Sequence, residues 1–328
     1  MALRPEFVDA HIAAWQQSLT SPYYPHRKSW PNLLFHHAPL ENALAILRDG
    51  NLRSRNDTNN LRLRDVAAPG VIDARDHAHD RVRLYFRPKT PTQWHIEGIR
   101  KAGECNYGDG THASVLVMFL LDAKAVLTLP DVMFSDRNMQ LGNAEPGCDE
   151  AYFANIPFLK VFSEGGTGGD RSYTDARCAE VLPSSPLMLD GYLKGICFRS
   201  EPERDTLLHL LGNERERWER FCYVSDALKV FQKEYTFVQE LRLTNEGVIF
   251  RLNPRRDQRN IHIAINVWNS VGRQVINFTN TDHAAQPAPP AINWIWKQKL
   301  SDDIYTVEVK LENCLAYQAS VMLGDTLF

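Results

Sequence analysis

The sequence predicts an α+β fold whose last third is β-sandwich-like, and three observations carry that prediction. Over the first two thirds, stretches with helical spacing are interleaved with short apolar or alternating runs. After about residue 222 the texture changes to short strand-like runs separated by polar turns, and a span of roughly 100 residues suits a sandwich. A chain of 328 residues with 44% hydrophobic content can bury one large core or two moderate ones. The boundaries fall at a leading helix and loop (1–30), a central domain (31–222) and a β-rich domain (223–328).

Taken in order, "EFVDAHIAAWQQSL" (6–19) carries Phe7, Ile12, Trp15 and Leu19 at near-helical spacing, and the prolines and aromatics of "TSPYYPHRKSWP" then form an ordered loop. "NLLFHH" is a short strand ending in His36 and His37. From Pro39 the pattern is helical again: Leu40, Leu44 and Leu47 share a face beside Ala43 and Ile46, and Gly50 stops the helix. "DRVRLYFRPKTPTQW" alternates Val82, Leu84 and Phe86 against arginines and Tyr85, a half-buried strand followed by a proline-rich turn. "HASVLVMFLLDAKAVL" is the continuous apolar run of a central strand. The glycine-rich loop "SEGGTGGDRSYTDA" precedes another short strand, "RCAEVL". Beyond it "GVIFRLN", "IHIAINVWN", "QVINFTN", "INWIWKQKL", "IYTVEVKLENC" and "AYQASVML" supply the strands of the sandwich. Trp268, Trp294, Trp296 and Tyr305 are too many rings for one hidden face of a small sandwich, so some belong at an interface.

Composition excludes several classes. No run approaches the length that spans a bilayer, and no basic segment followed by an apolar stretch opens the chain, so we expect a cytoplasmic protein without membrane association. The six cysteines lack metal-ligand spacing and read as reduced thiols, mostly buried. "HAH" at 77–79 has no third ligand at useful spacing, so no metal is expected. The net charge of -3 hides a local surplus of Lys and Arg between Arg48 and Lys101. Planar guanidinium groups grip phosphate with two parallel hydrogen bonds, so this stretch suits a pyrophosphate or a nucleic-acid backbone; the interleaved acids equally suit a solvated face of mixed charge.

Two further features point to chemistry. A histidine closing a strand just before a helix can donate from its ring to a ribose hydroxyl. Glu180, on a short strand reached across a glycine-rich loop, suits stabilisation of a sugar carbon that develops positive charge. Taken singly, each is more often structural.

In this order the pieces resemble the DarT-type ADP-ribosyltransferases, toxins that move ADP-ribose from NAD+ onto a base of single-stranded nucleic acid. "HHAPLENALAILRDG" matches the family's histidine and following helix, "IDARDHAHDRVRLYFRPKTP" its arginine and strand-turn, and "RCAEVL" its strand-borne glutamate. The resemblance implies an ADP-ribosyltransferase-type split β core. It implies Glu180 and Arg75 as catalytic residues. NAD+, as co-substrate, would lie against His36, His37, Asn42, Arg75 and Tyr85, with His36 the better counterpart of the family histidine.

The acceptor implied by the resemblance is single-stranded DNA or RNA, because a base buried in a duplex cannot reach the reacting carbon. Arg55, Arg87, Arg100, Lys101 and Arg171 would track its phosphates, while Trp94 or Tyr107 could stack on bases. Glu180 would hold the 2'-hydroxyl of the nicotinamide ribose. An antitoxin or chaperone is an expected partner, docking on the β-rich domain, and a toxin-antitoxin or phage-defence setting is expected with it. Two other classes stay open: a transferase acting on protein, and a non-catalytic nucleotide or nucleic-acid binder. Cys178, where protein-modifying relatives carry Glu or Gln, favours an acceptor other than arginine.

Overall fold

The computed structural model describes residues 2–66, 79–101, 103–105, 108, 110–139, 141, 144–255, 259–284 and 294–324. The chain folds as two compact units: Met1–His95 with Val117–Cys197 and Ser225–Phe231, and Ile96–Leu116 with Phe198–Val224 and Gln232–Phe328.

In the first unit, α1 (Pro5–Ser18) opens on a proline, which needs no amide partner there. β1 (Leu33–Pro39) leads straight into α2 (Leu40–Asp49), whose Leu40, Ala43, Leu44 and Leu47 are buried. Gly50 ends α2 at φ 73°, a left-handed conformation suited to glycine, with its amide on the Ile46 carbonyl at 2.8 Å. The remaining elements are β2 (Asn51–Leu52), β3 (Leu84–Tyr85), α3 (Pro91–Ile96), β4 (Leu116–Asp122), α4 (Ala123–Leu127), β5 (Met133–Phe134), α5 (Glu150–Ala154), α6 (Phe158–Val161), α7 (Arg171–Ala176), β6 (Glu180–Leu182), β7 (Leu187–Met188) and β8 (Leu193–Phe198). The sheet runs β5-β6-β3-β1-β4-β8, and pairs β5–β6, β6–β3, β3–β1 and β4–β8 are antiparallel. β4, the unbroken apolar run, is buried from Leu116 to Leu121.

Two local expectations change. The strand expected over "DRVRLYF" narrows to Leu84–Tyr85 with an isolated bridge at Arg81, since Pro88 has no amide for a ladder. The proline-rich turn after it includes α3, where Thr90 Oγ1 accepts from the Gln93 amide at 3.1 Å and Pro91 sits in the first turn. Likewise "RSYTDA" leaves the loop as α7, capped by Asp170 accepting from the Ser172 amide.

The second unit holds α8 (Glu201–Leu211), α9 (Arg215–Trp218), β9 (Cys222–Val224), β10 (Val238–Thr244), β11 (Gly247–Leu252), β12 (Ile261–Trp268), β13 (Gln274–His283), β14 (Trp294–Lys297), β15 (Asp303–Leu311) and β16 (Cys314–Leu323). Two sheets, β10-β11-β14 and β13-β12-β15-β16, share one core that includes Val248, Phe250, Ile263, Ile265, Val307 and Val309. This is the expected sandwich arrangement. α8 is tied to it by the Gln318 amide donating to Thr206 Oγ1 at 3.0 Å and by Ser200 Oγ donating to the Val238 carbonyl at 2.6 Å. Of the rings expected at an interface, Tyr305 is 2% exposed inside the sandwich's own core. Trp296 is exposed and stacks on Phe278 at 4.3 Å. Among the described residues no helix is long and apolar enough to cross a membrane.

Candidate active site

Glu180 is fixed by backbone on both sides of β6. Tyr85 of β3 stands opposite it, and beyond β5 the Ser135 amide donates to its carbonyl at 2.9 Å. Its side chain is completely buried, yet among the described residues neither carboxylate oxygen has a hydrogen-bond partner. One cation approaches: Arg83 NH1 lies 3.7 Å from Oε1, close enough to pair charges and too far for a strong hydrogen bond. Burial pushes the carboxyl above its ordinary pKa; Arg83 offsets this in part, as does the Met139 amide, which stands outside hydrogen-bonding geometry. The result is an under-bonded acid on a rigid strand, suited to partners that arrive from outside.

Aromatic groups stand beside it. Tyr85 is 9% exposed, receives a hydrogen bond from Thr92 Oγ1 at 3.3 Å, and stacks on His37 with 5.4 Å between ring centroids and a 13° tilt. Burial, with His36 nearby, lowers His37 to about 3, so it is neutral at physiological pH. His36 Nδ1 meets the Arg83 carbonyl at 3.0 Å. A carbonyl only accepts, so Nδ1 carries the proton; burial lowers the ring's pKa despite that bond, leaving Nε2 as an acceptor. His36 therefore offers a ribose hydroxyl an acceptor, where the sequence reading expected a donor.

Other expected residues are occupied differently. Asn42 bonds both ways to the backbone of Arg64, Nδ2 to its carbonyl at 2.7 Å and Oδ1 from its amide at 2.9 Å. It holds the 60s segment, so its amide is not presented to a dinucleotide. Arg87 is 2% exposed, with its guanidinium on the carbonyls of Pro88, Val161 and Ser163 and 5.0 Å above the Trp30 ring. Burial depresses its pKa to about 9. Arg100, in the second unit, is 1% exposed over the Tyr235 ring at 4.3 Å. Neither arginine is presented to an acceptor. Arg55 is ion-paired with Asp65 at 2.6 Å, and Arg53, Arg62 and Arg64 pair with Asp49, Asp57, Asp65 and Glu41. The interleaved acids thus neutralise much of the basic stretch locally. Lys101, also in the second unit, is half-buried, Arg171 is exposed at the start of α7, and Trp94 is half-buried. Arg75 and Tyr107 lie outside the described residues.

The sequence reading missed Arg83. Its signal was the alternation in "DRVRLYF", which sets Arg83 two residues before Tyr85 and therefore diagonal to the residue opposite Tyr85. Among the described residues no three His, Cys, Asp or Glu side chains converge as a metal site.

A family match gives the class, an ADP-ribosyltransferase with NAD+ as co-substrate. The family described as "ssDNA thymidine ADP-ribosyltransferase, DarT" matches residues 35–226, more than half of the chain. The chain belongs to the DarT family. Among solved structures, DarT of Thermus sp. 2.9 in complex with ADP-ribosylated ssDNA aligns with a TM-score of 0.50 and 19% identity, over 61% of this chain and 96% of that one. The same protein in complex with carba-NAD+ gives 0.49 and 19%, over 61% and 98%. DarTG of Thermosipho africanus in complex with ADP-ribose gives 0.44 and 13%, over 66% and 55%. At these identities the likeness speaks for fold alone. No curated protein matches the chain.

Proposed function

We propose that this chain is a cytoplasmic toxin that transfers ADP-ribose from NAD+ to a thymidine base of single-stranded DNA, with Glu180 as the catalytic carboxylate. The transferase portion is taken as 31–222 and the β-rich part, 223–328, as an addition to it. The observation that carries the reading is Glu180 itself, fully buried on a strand with both oxygens lacking hydrogen-bond partners among the described residues. A structural carboxylate so placed would be a liability. One that accepts the 2'-hydroxyl of the nicotinamide ribose gains its partner on substrate binding.

The glycosidic bond from C1' to the nicotinamide nitrogen then breaks, its electron pair leaving on the ring, which departs neutral. Positive charge spreads over C1' and the ring oxygen, where a fixed carboxylate in a dry setting stabilises it. A base nitrogen attacks C1' and gives its proton to the Glu180 carboxylate, which passes it to water. Arg83 pulls the Glu180 pKa down against burial and so favours the ionised form. His37 stacked on Tyr85 gives the nicotinamide an aromatic wall, and His36 Nε2 accepts from a ribose hydroxyl. Arg75 remains the candidate for the pyrophosphate. Arg171, Lys101 and, once released from Asp65, Arg55 are the phosphate-tracking candidates. An antitoxin that restrains the enzyme is part of this proposal.

The test is incubation with labelled NAD+ and, separately, thymidine-containing single strands, thymidine-free single strands, duplex DNA, RNA and total cell protein. Label on thymidine-containing single strands alone is expected. Label on protein alone would sink the reading.

A further inference from the structure

The family match begins at residue 35, and the segment before it is built onto the root of the glycine-rich loop. Phe7, His11 and Trp15, four residues apart on α1, form one aromatic stripe. Phe7 and His11 meet Phe153 at 5.9 and 4.8 Å, His11 meets Phe158 at 4.4 Å, and Trp15 meets Phe162 at 5.6 Å. His11 is lowered by burial to about 4, so at neutral pH it packs as an uncharged ring. The residues so covered, 153–162, run directly into the loop.

At the loop's first residues the same segment switches from rings to polar contacts. Arg27 NH1 donates to the Phe162 carbonyl at 3.1 Å. His26 Nε2 lies 2.9 Å from Glu164 Oε2, and Lys89 Nζ lies 3.1 Å from Glu164 Oε1. Burial alone would raise the Glu164 pKa, but the charges of Lys89 and Arg87 and the contact with His26 outweigh it; burial lowers the pKa of His26 itself, so at neutral pH its ring serves as a neutral hydrogen-bond donor. From the other side Arg177, three residues before Glu180, donates to Ser163 Oγ at 3.1 Å and to the Gly165 carbonyl at 3.0 Å.

Beyond this root the chain is exposed and dominated by glycine. Gly165, Gly168 and Gly169 have φ of 84°, 60° and 87°, conformations that cost a side chain strain. A Cβ at Gly166, Gly168 or Gly169 would meet nothing within 4 Å, so these glycines serve the path of the backbone and not close packing. Glycine backbone loses the most entropy on ordering, about 1–2 kcal/mol per residue, so such a loop holds its course only from a rigid root.

We infer that Glu164, clasped between His26 and Lys89, is a positioning residue that sets the course of the glycine-rich loop for the acceptor strand. The inference rests on the proposed transferase function and deepens it. On this reading the loop brings the acceptor base to Glu180, so the clasp serves delivery of the base and not NAD+ chemistry. A misplacement of about 1 Å in an orienting group costs about 100-fold in rate, so loosening the root acts on transfer and spares NAD+ use.

The experiment compares wild type, Glu164→Gln, His26→Ala, His26→Gln and Glu180→Ala in the full chain. Glu164→Gln and His26→Ala are expected to lower transfer to a thymidine oligonucleotide by about 10- to 100-fold, with an unchanged KM for NAD+ in nicotinamide release. His26→Gln keeps a donor toward Glu164 and should stay near wild type. A second readout needs no acceptor: trypsin should cut after Arg171 faster in Glu164→Gln and His26→Ala than in wild type. Equal losses of NAD+ use and transfer, or cleavage at the wild-type rate, overturn the inference. Failure of the parent reading shows separately, as wild-type transfer that Glu180→Ala does not lower.

Discussion

Among the described residues two glutamates are completely buried, and their surroundings are opposite. Glu203, in the second unit, lies against Arg199, which donates from its backbone amide at 3.1 Å, from Nε to both carboxylate oxygens at 2.9 and 3.0 Å, and from NH2. Arg199 is itself held by the Ser114 carbonyl and lies 4.6 Å from the Phe237 ring. Glu180 has one cation at 3.7 Å and no hydrogen bond among the described residues. Burial raises the pKa of both carboxyls. In the first, both carboxylate oxygens accept hydrogen bonds within the fold, while NH1 of Arg199 has no partner among the described residues. In the second the capacity to accept is unused among the described residues, and burial cost alone does not tell the two apart.

The largest expected effect tests that contrast. Glu180→Gln keeps the shape and removes the charge, and transfer from NAD+ should fall by about 10² to 10⁴, the range for losing a charge stabiliser in the transition state. Folding should not suffer. A carboxyl with a raised folded pKa contributes stability below its unfolded pKa that is lost as pH rises through the folded one, so at pH 7 to 8 the variant should melt no lower than wild type. A lower melting temperature with intact transfer would make Glu180 a structural residue and reverse the comparison.

Glu203→Ala should do the converse. Leaving Arg199 buried without its carboxylate should cost about 3–5 kcal/mol of stability, read as a shifted urea midpoint at constant slope. NAD+ use per folded molecule should persist. If transfer vanished while the urea midpoint stayed put, the distinction between the two carboxylates would be wrong.

How much of this was legible beforehand follows from the range over which each feature is encoded. The strand, helix and glycine stop from Leu33 to Gly50 are local, so periodicity and Gly50 suffice to place them. The sandwich strands from Gly247 onward were legible for the same reason, whereas β10 was passed over: in "VQELRLT" exposed charges interrupt the apolar face, of which Val238 and Leu243 are buried. Glu180 was singled out by its short strand behind the glycine-rich loop, and the resemblance of "RCAEVL" then implied its role; no periodicity marks it. Arg83 depends on the register between β3 and β6, a relation between residues about a hundred positions apart. Arg87 and Arg100 were misread because charge type implied a surface. Long side chains can instead bury their stems when carbonyls or a ring receive the head. Arg55 and Asn42 were expected at the acceptor phosphates and at NAD+, but their partners here, Asp65 and the Arg64 backbone, lie on a loop whose course no local rule predicts.

The smallest effect sharpens the site from within. Arg83 is the cation that pulls the Glu180 pKa downward against burial, and ionised Glu180 is the form that stabilises positive charge at C1'. Activity must therefore rise with pH through a limb above the ordinary carboxylate range, since protonated Glu180 is inactive. Arg83→Gln removes the pull, so the sign is fixed: the limb should move to higher pH, and transfer at neutral pH should fall several-fold while approaching wild type in mild alkali. The measurement is the pH dependence of kcat/KM for nicotinamide release, with wild type and Arg83→Gln under the same buffers. A uniform loss at every pH would make Arg83 a substrate contact and not the counter-ion of Glu180. An unmoved limb at full rate would mean that Glu180 takes its charge stabilisation from another group. Either outcome redraws the contrast between Glu180, whose oxygens accept no hydrogen bond among the described residues, and Glu203, whose oxygens accept from Arg199.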